Sequence, residues 1–209
     1  MQTLDLSQLV SWLGLFGIAV FAISGALEAA RKEMDILGFM LIGSVTGLGG
    51  GTLRDLLLGR SPVYWVEQPV YVAVSLSAAV ITYFLVPVIV SRLKALIWMD
   101  ALGLALFSVT GTKIAIDAGA SPLIAICMGV MTASFGGIIR DVLCGESLVL
   151  RQRELYVTAT VVGSLGYLSL KWFLLPDSVA LIGGLFAAFS LRSAAIVFGL
   201  CLPVYRAPD

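Results

Sequence analysis

Two arginine–aspartate pairs stand where charged side chains are expensive. Arg54-Asp55 follows Gly49-Gly50-Gly51-Thr52-Leu53 at the end of one long apolar stretch, and Arg140-Asp141 follows Gly136-Gly137-Ile138-Ile139 at the end of another. Glycine costs about 1 kcal/mol relative to alanine inside a helix, so each cluster predicts either a break in its helix or close packing through small residues. A charge at membrane depth faces a cavity, a partner or water, because lipid exposure costs about 3 kcal/mol or more. Neighbouring residues on a helix point in different directions. The spacing therefore predicts that Arg54 and Asp55 do not satisfy one another and that each finds a partner elsewhere. Such groups handle ions rather than catalyse: the chain has no histidine, and no nucleophile stands beside a recognisable base, so no enzyme is expected.

The two pairs are copies of one another. Gly50 and Gly136, Gly51 and Gly137, Arg54 and Arg140, and Asp55 and Asp141 are all separated by the same 86 residues (Gly50 to Gly136). At that interval Gly17–Gly59 aligns without a gap on Gly103–Gly145, with Gly17, Ala19, Phe21, Gly25, Ala29, Leu37, Gly43, Thr46, Leu57 and Gly59 also matched by identical residues. A fixed-period match of this kind is a statement about architecture: the chain contains one unit twice.

The elements that must carry these pairs follow from composition. Hydrophobic residues make up 59% and charged residues 12% of the chain, with a mean hydropathy of +1.03. Lipid is the expected solvent. Net charge is zero and no basic run exists, which argues against nucleic acid as a partner. Met1–Leu6 lacks the basic start of a secretory signal. Cys127, Cys144 and Cys201 lie far apart and, without histidine, suggest no metal or cofactor site. A spanning helix needs about 20 mainly apolar residues. Seven segments qualify: 9–29, 36–58, 68–90, 96–116, 121–143, 154–175 and 179–203. The fold expected is an all-α membrane protein forming a single domain over 1–209.

Each repeat then holds three segments, an odd number, so the second enters the membrane inverted. Segments 1–3 (about 9–90) and 4–6 (about 96–175) are read as inverted-topology repeats, with the seventh outside them. Basic residues set the orientation. Arg31, Lys32, Arg92, Lys94, Arg151, Arg153 and Arg206 fall on one side. The other side carries Arg60, with Asp5, Asp117 and Asp177 near its loops. The N-terminus is placed outside and the C-terminus in the cytoplasm of a cell inner membrane. Pro62, Pro69, Pro122 and Pro176 fall at segment ends, where proline is tolerated, and Pro87 falls in the last turn of segment 3. Trp12, Trp65, Trp98 and Trp172 fall near segment ends, as an interfacial belt expects.

This topology puts the Arg-Asp pairs in opposite leaflets. Lys113 is at the depth of Asp55, and Glu28 is at the depth of Arg140, which predicts those two pairings and two charged layers with the glycines between them. If the glycines break segments 2 and 5, carbonyl ends face the midplane from both sides and suit a cation. Ser24 and Thr110, with Thr46, Thr52 and Thr132, offer oxygens along such a path; the alternative for each is a hydroxyl bonded to the preceding turn. Arg192, near the middle of segment 7, is read as structural, paired to an acid on a neighbouring helix or seated at a subunit contact.

Seven segments, a three-plus-three inverted repeat and Gly-Gly-Gly-Thr-x-Arg-Asp in segment 2 resemble the prokaryotic trimeric intracellular cation (TRIC) channels, over Leu9 to about Pro203. The resemblance implies a homotrimer with one pore per subunit, permeable to monovalent cations, chiefly potassium. It also implies a pore lined by segments 1, 2, 4 and 5, with segments 2 and 5 kinked at their glycines. By motif it points to Gly49, Gly50, Gly51, Arg54, Asp55, Gly136, Gly137, Arg140 and Asp141, and Lys113 looks like the basic residue such channels place in helix 4. Phe135 and Ile138 stand where the first motif has Gly49 and Thr52, so the halves should not gate equally. Related sequences also carry a glycine-transporter label, which leaves a secondary transporter of a small zwitterion such as glycine as the alternative.

Overall fold

The computed structural model describes residues 6–89, 91–146 and 155–201, and every regular element in it is helical. The order is α1 (Leu6–Arg31), α2 (Ile36–Leu57), a short α3 (Tyr64–Glu67), α4 (Val70–Leu85), α5 (Arg92–Asp117), α6 (Pro122–Leu143), α7 (Tyr156–Trp172) and α8 (Asp177–Phe198). Among the described residues, six helices are long and apolar enough to cross a membrane; α7, with 17 residues, is not among them. Outward faces carry large apolar side chains such as Ile81, Phe84, Leu123, Phe186 and Val197, as a lipid environment requires.

Local signals explain the ends. Asp35 caps α2 by accepting from the Gly38 amide at 2.8 Å, Ser91 caps α5 from Lys94 at 3.4 Å, and Pro122 opens α6 where no amide partner is needed. Gly59 (φ 67°) and Gly145 (φ 65°) follow α2 and α6 in the left-handed region that favours glycine. Several boundaries differ from expectation. Segment 3 ends early because Pro87 sits in a 3-10 turn, Val86–Val88, beyond α4. Segment 7 spans Asp177–Phe198 instead of 179–203, closed by Gly199 in a left-handed cap. The helix α3 was not anticipated. Arg151, Arg153 and Arg206, used for orientation, lie outside the described residues, as does Asp5.

The helices α1 and α5 form the centre: α1 packs on α2, α4 and α5, and α5 on α6, α7 and α8. Their buried residues include Ile18, Phe21, Ala22, Leu27, Leu104, Leu106 and Val109. Leu6–Arg31 and Arg92–Asp117 keep the interval of the sequence repeat, and so do Ile36–Leu57 and Pro122–Leu143. Phe21 and its repeat mate Phe107 meet in the middle, ring centroids 5.2 Å apart. A Cβ on Gly17 would strike Phe107, and one on Gly103 would strike Phe21.

Candidate functional site: two charged cavities across a glycine crossing

At the centre α2 crosses α6. A Cβ on Gly50 would run into the Thr132 carbonyl oxygen, and one on Gly136 into the Thr46 carbonyl oxygen. These contacts exchange under the repeat interval and run in opposite order along the two helices, so α2 and α6 are antiparallel here and their C-terminal ends lie at opposite ends of the bundle. Neither helix is broken: α2 runs through Gly49–Gly51 and α6 through Gly136–Gly137 without interruption. The expected break, with carbonyl ends exposed at the midplane, is therefore corrected. The glycines are used for close approach, since only a residue without a side chain lets one backbone touch the other.

The hydroxyls follow the same logic. Thr46 donates to the Ile42 carbonyl (2.6 Å), Thr52 to Leu48 (2.7 Å), Thr110 to Leu106 (2.8 Å) and Thr132 to Met128 (2.6 Å). Each is spent on the preceding turn. Thr52 also accepts from the Trp65 indole at 2.8 Å.

At the α2 end, Arg54 folds back on its neighbour: Nε and Nη2 donate to Asp55 Oδ1 at 2.9 and 2.8 Å. The other Asp55 oxygen accepts from the Tyr64 amide at 3.0 Å, and Arg60 approaches at 3.6 Å. The expectation that adjacent Arg and Asp cannot pair is overturned, because the long arginine stem wraps around the helix to bring its forked head back. The Arg54 guanidinium also lies 5.5 Å from the Tyr64 ring centroid. Lys113 does not reach Asp55. It pairs with Asp117 one turn on, at 2.8 Å, and approaches Asp177 of α8 at 3.9 Å. A cavity of about 190 Å³ opens here, with Gly14, Gly51, Arg54, Arg60, Glu67 and Ile114 among its walls.

At the α6 end, Arg140 likewise pairs with Asp141 (Nε 2.9 Å, Nη2 2.8 Å). Its Nη1 donates to Ser24 Oγ at 2.7 Å and Asp100 Oδ1 at 2.8 Å. Glu28 is not its partner. One Glu28 oxygen is taken by Arg31 at 2.7 Å, yet Glu28 and Arg140 wall the same cavity of about 120 Å³, with Asp100, Asp141, Glu146 and Arg192. Arg192 is buried over the Tyr156 ring, 5.3 Å from its centroid. At the rim Lys32 meets Glu146 at 2.6 Å. That hydrogen bond lowers the Glu146 carboxyl and raises the Lys32 ammonium from their ordinary values.

The structure thus brings together Arg54 with Asp55, and Ser24 with Arg140 and Asp141, and separates Lys113 and Glu28 from the partners expected for them. Sequence reasoning passed over Asp100, Tyr64 and Glu146. Asp100 had a signal, a lone acid inside Leu96–Leu106. Tyr64 had none, because its part is played by a backbone amide.

No group of three or more acids or cysteines placed to hold a metal ion occurs among the described residues. What fold and site define is a polytopic helical membrane protein with two ion-paired cavities at opposite ends of the bundle. Comparison with known proteins names that class. A family model described as "Glycine transporter" matches residues 11–87 and 97–172. The UPF0126 inner membrane protein YadS of Escherichia coli K12 is 42% identical over 203 residues, 94% of this chain and 96% of that protein. The UPF0126 membrane protein YvgT of Bacillus subtilis is 34% identical, over 91% and 94%. Among solved structures, the TRIC trimeric intracellular cation channel orthologue from Rhodobacter sphaeroides superposes with a TM-score of 0.90 at 52% identity, covering 92% of this chain and 99% of that one. A second TRIC cation channel structure gives 0.85 at 33% identity, over 95% and 98%. The chain belongs to the family of TRIC channels and UPF0126 membrane proteins, which the glycine-transporter model describes.

Proposed function

We propose that this protein is a monovalent cation channel, chiefly for potassium, working in the inner membrane as a homotrimer with one pore in each protomer. The path runs between α1, α2, α5 and α6, from one cavity to the other. The crossing of α2 and α6 at Gly50 and Gly136, with Phe21 and Phe107, forms the closed middle. Arg54-Asp55 and Arg140-Asp141 are the gates at its two ends. In this reading α7 is the sixth of seven spans, α1–α4 and α5–α7 are inverted repeats, and α8 stands outside them. The N-terminus faces outward and the C-terminus the cytoplasm. The observation that carries the proposal is the pair of charged cavities, one walled by Arg54 at the end of α2 and the other by Arg140 and Asp141 at the end of α6, with the glycine crossing of the two helices between those ends. Buried arginines tied to their own neighbouring aspartates are what a gate requires, since a small rearrangement exchanges that tie for another. The likeness to TRIC cation channel structures supports the same function.

A second reading, a secondary transporter of a small zwitterion such as glycine, is favoured by the description of the matching family model. Single-channel recording of purified protein in a planar bilayer, in asymmetric potassium chloride, separates the two. Discrete openings reversing near the potassium potential are expected, with open probability raised by Arg54→Ala and Arg140→Ala. Silence in the bilayer, with saturable glycine uptake into vesicles from the same preparation, would replace the channel by the transporter.

A further inference from the structure

Glu28 is the acid that pairing leaves incomplete. It is 2% exposed, among the most buried large side chains of the molecule. Arg31 holds its Oε2 at 2.7 Å, while Oε1 has no hydrogen-bond partner among the described residues. The residue faces the α6-end cavity, where Arg140 pairs with Asp100 and Asp141 and Glu146 with Lys32, and where Arg192 over the Tyr156 ring completes the charged wall. A buried carboxylate oxygen without a donor is costly unless something positive or hydrogen-bonding comes to it, and a charge kept at membrane depth is a functional site by default.

We infer that the α6-end cavity binds one small monovalent cationic group at Glu28 Oε1, between the outer rim pair Lys32–Glu146 and the Arg140 gate. The inference deepens the channel reading and rests on it for its role: the cation waits here before the gate. Three features set the class of ligand. Among the described residues the acids do not converge as a ligand set, whereas divalent ions take six or more oxygens, usually from several carboxylates or ordered waters. A single free oxygen matches a single positive charge that keeps part of its water shell. The cavity, about 120 Å³, has room for an ion with a few waters, each occupying about 30 Å³. The opposite cavity offers no buried counterpart: its acid Glu67 is exposed. There the repeat places Ile114 where Glu28 stands and Gly14 where Asp100 stands, and Asp55 is fully engaged.

The source of the charge, an alkali ion or the ammonium of a small zwitterion, is settled by the test. Crystals of the full chain soaked in graded thallium(I) should show an anomalous peak against Glu28. Half-occupancy should need about tenfold more thallium in Glu28→Gln, and about threefold less in Arg31→Gln, where the competing tether is gone. Glycine replacing the thallium peak at Glu28 would assign the site to an ammonium group. Thallium and glycine both failing to bind at Glu28, or binding unchanged in both variants, overturns the inference. The Arg31 variant, at the exposed end of α1, moves in the opposite direction, so misfolding cannot mimic the result. Rubidium flux into vesicles is read in parallel. Flux without a Glu28-dependent peak leaves the channel and removes the site; a peak without flux leaves the site and removes the channel.

Discussion

The two ends of the bundle share a backbone and differ in charge. Each cavity is walled by the end of α2 or α6 with the arginine of its Arg-Asp pair, and by matching turns of α1 and α5. Yet Glu28 at the α6 end answers to Ile114 at the α2 end, Asp100 to Gly14, and Glu146 to Arg60, every exchange making the α6 end more negative. The contacts between the cavities show no such drift. Gly50 against Thr132 and Gly136 against Thr46 are repeat mates touching repeat mates, because a Cβ at either glycine collides with a backbone oxygen that has nowhere to go. Side chains facing a cavity have space to diverge. Duplication thus fixes the crossing, and the charges around it give the proposed path a direction.

The largest effect should come from removing one acid at each end. Asp55 is the one carboxylate within ion-pair distance of Arg54 among the described residues, and it also holds the Tyr64 amide. Asp55→Asn leaves a buried arginine without its counter-charge, which typically costs about 3 to 5 kcal/mol. Arg140 keeps Asp100 and Ser24 when Asp141 is changed, so Asp141→Asn should cost about 1 to 2 kcal/mol. Thermal unfolding of purified protein in detergent, followed by tryptophan fluorescence, reads both. Equal losses, or a larger one for Asp141→Asn, would mean that the second acid at the α6 end does not share the arginine.

Next in size are the glycines, where symmetry rather than difference is expected. Gly50→Ala and Gly136→Ala each drive a methyl group into the facing backbone and should lose about 1 to 3 kcal/mol by overpacking, by similar amounts. Gly59→Ala and Gly145→Ala meet no atom but carry positive φ, and should each lose about 1 to 2 kcal/mol from the backbone alone. A crossing glycine that tolerates alanine while its mate does not would break the claim that the crossing is reciprocal.

These contrasts also mark what the sequence could tell. The repeat was legible because it is a pattern of types at one interval, and the helices because apolar length alone selects them. The pairings were not. Rules based on helix direction separate Arg54 from Asp55, but a guanidinium on a flexible stem of several bonds is not bound by the direction of its Cα–Cβ bond. Depth matching proposed Lys113 for Asp55 and Glu28 for Arg140. Both lost to nearer groups, Asp117 one turn along the same helix and Arg31 three residues along the same helix. The glycines read equally as breaks or as contacts until the partner helix was in place, since what distinguishes the two is the atom opposite.

The smallest effect is a pH dependence that only one end should show. Glu146 is held below its ordinary value of 4.5 by the hydrogen bond from Lys32, and its mate at the α2 end, Arg60, is not a carboxyl. A carboxyl lowered by folding contributes stability that is present above its unfolded value and lost as pH falls through the lower folded value. Lys32, raised above 10.5 mainly by the same bond, contributes below that value and loses its share as pH rises through the higher one. Both groups stand at the surface, so the effect is modest and screened by salt. Melting temperatures at low ionic strength should therefore fall on the acid side slightly less steeply for Glu146→Gln than for the parent, and the two curves should converge when salt is added. If the acid limbs coincide at low salt, the rim pair adds nothing to the charge difference between the ends, which then rests on Glu28 and Asp100 alone.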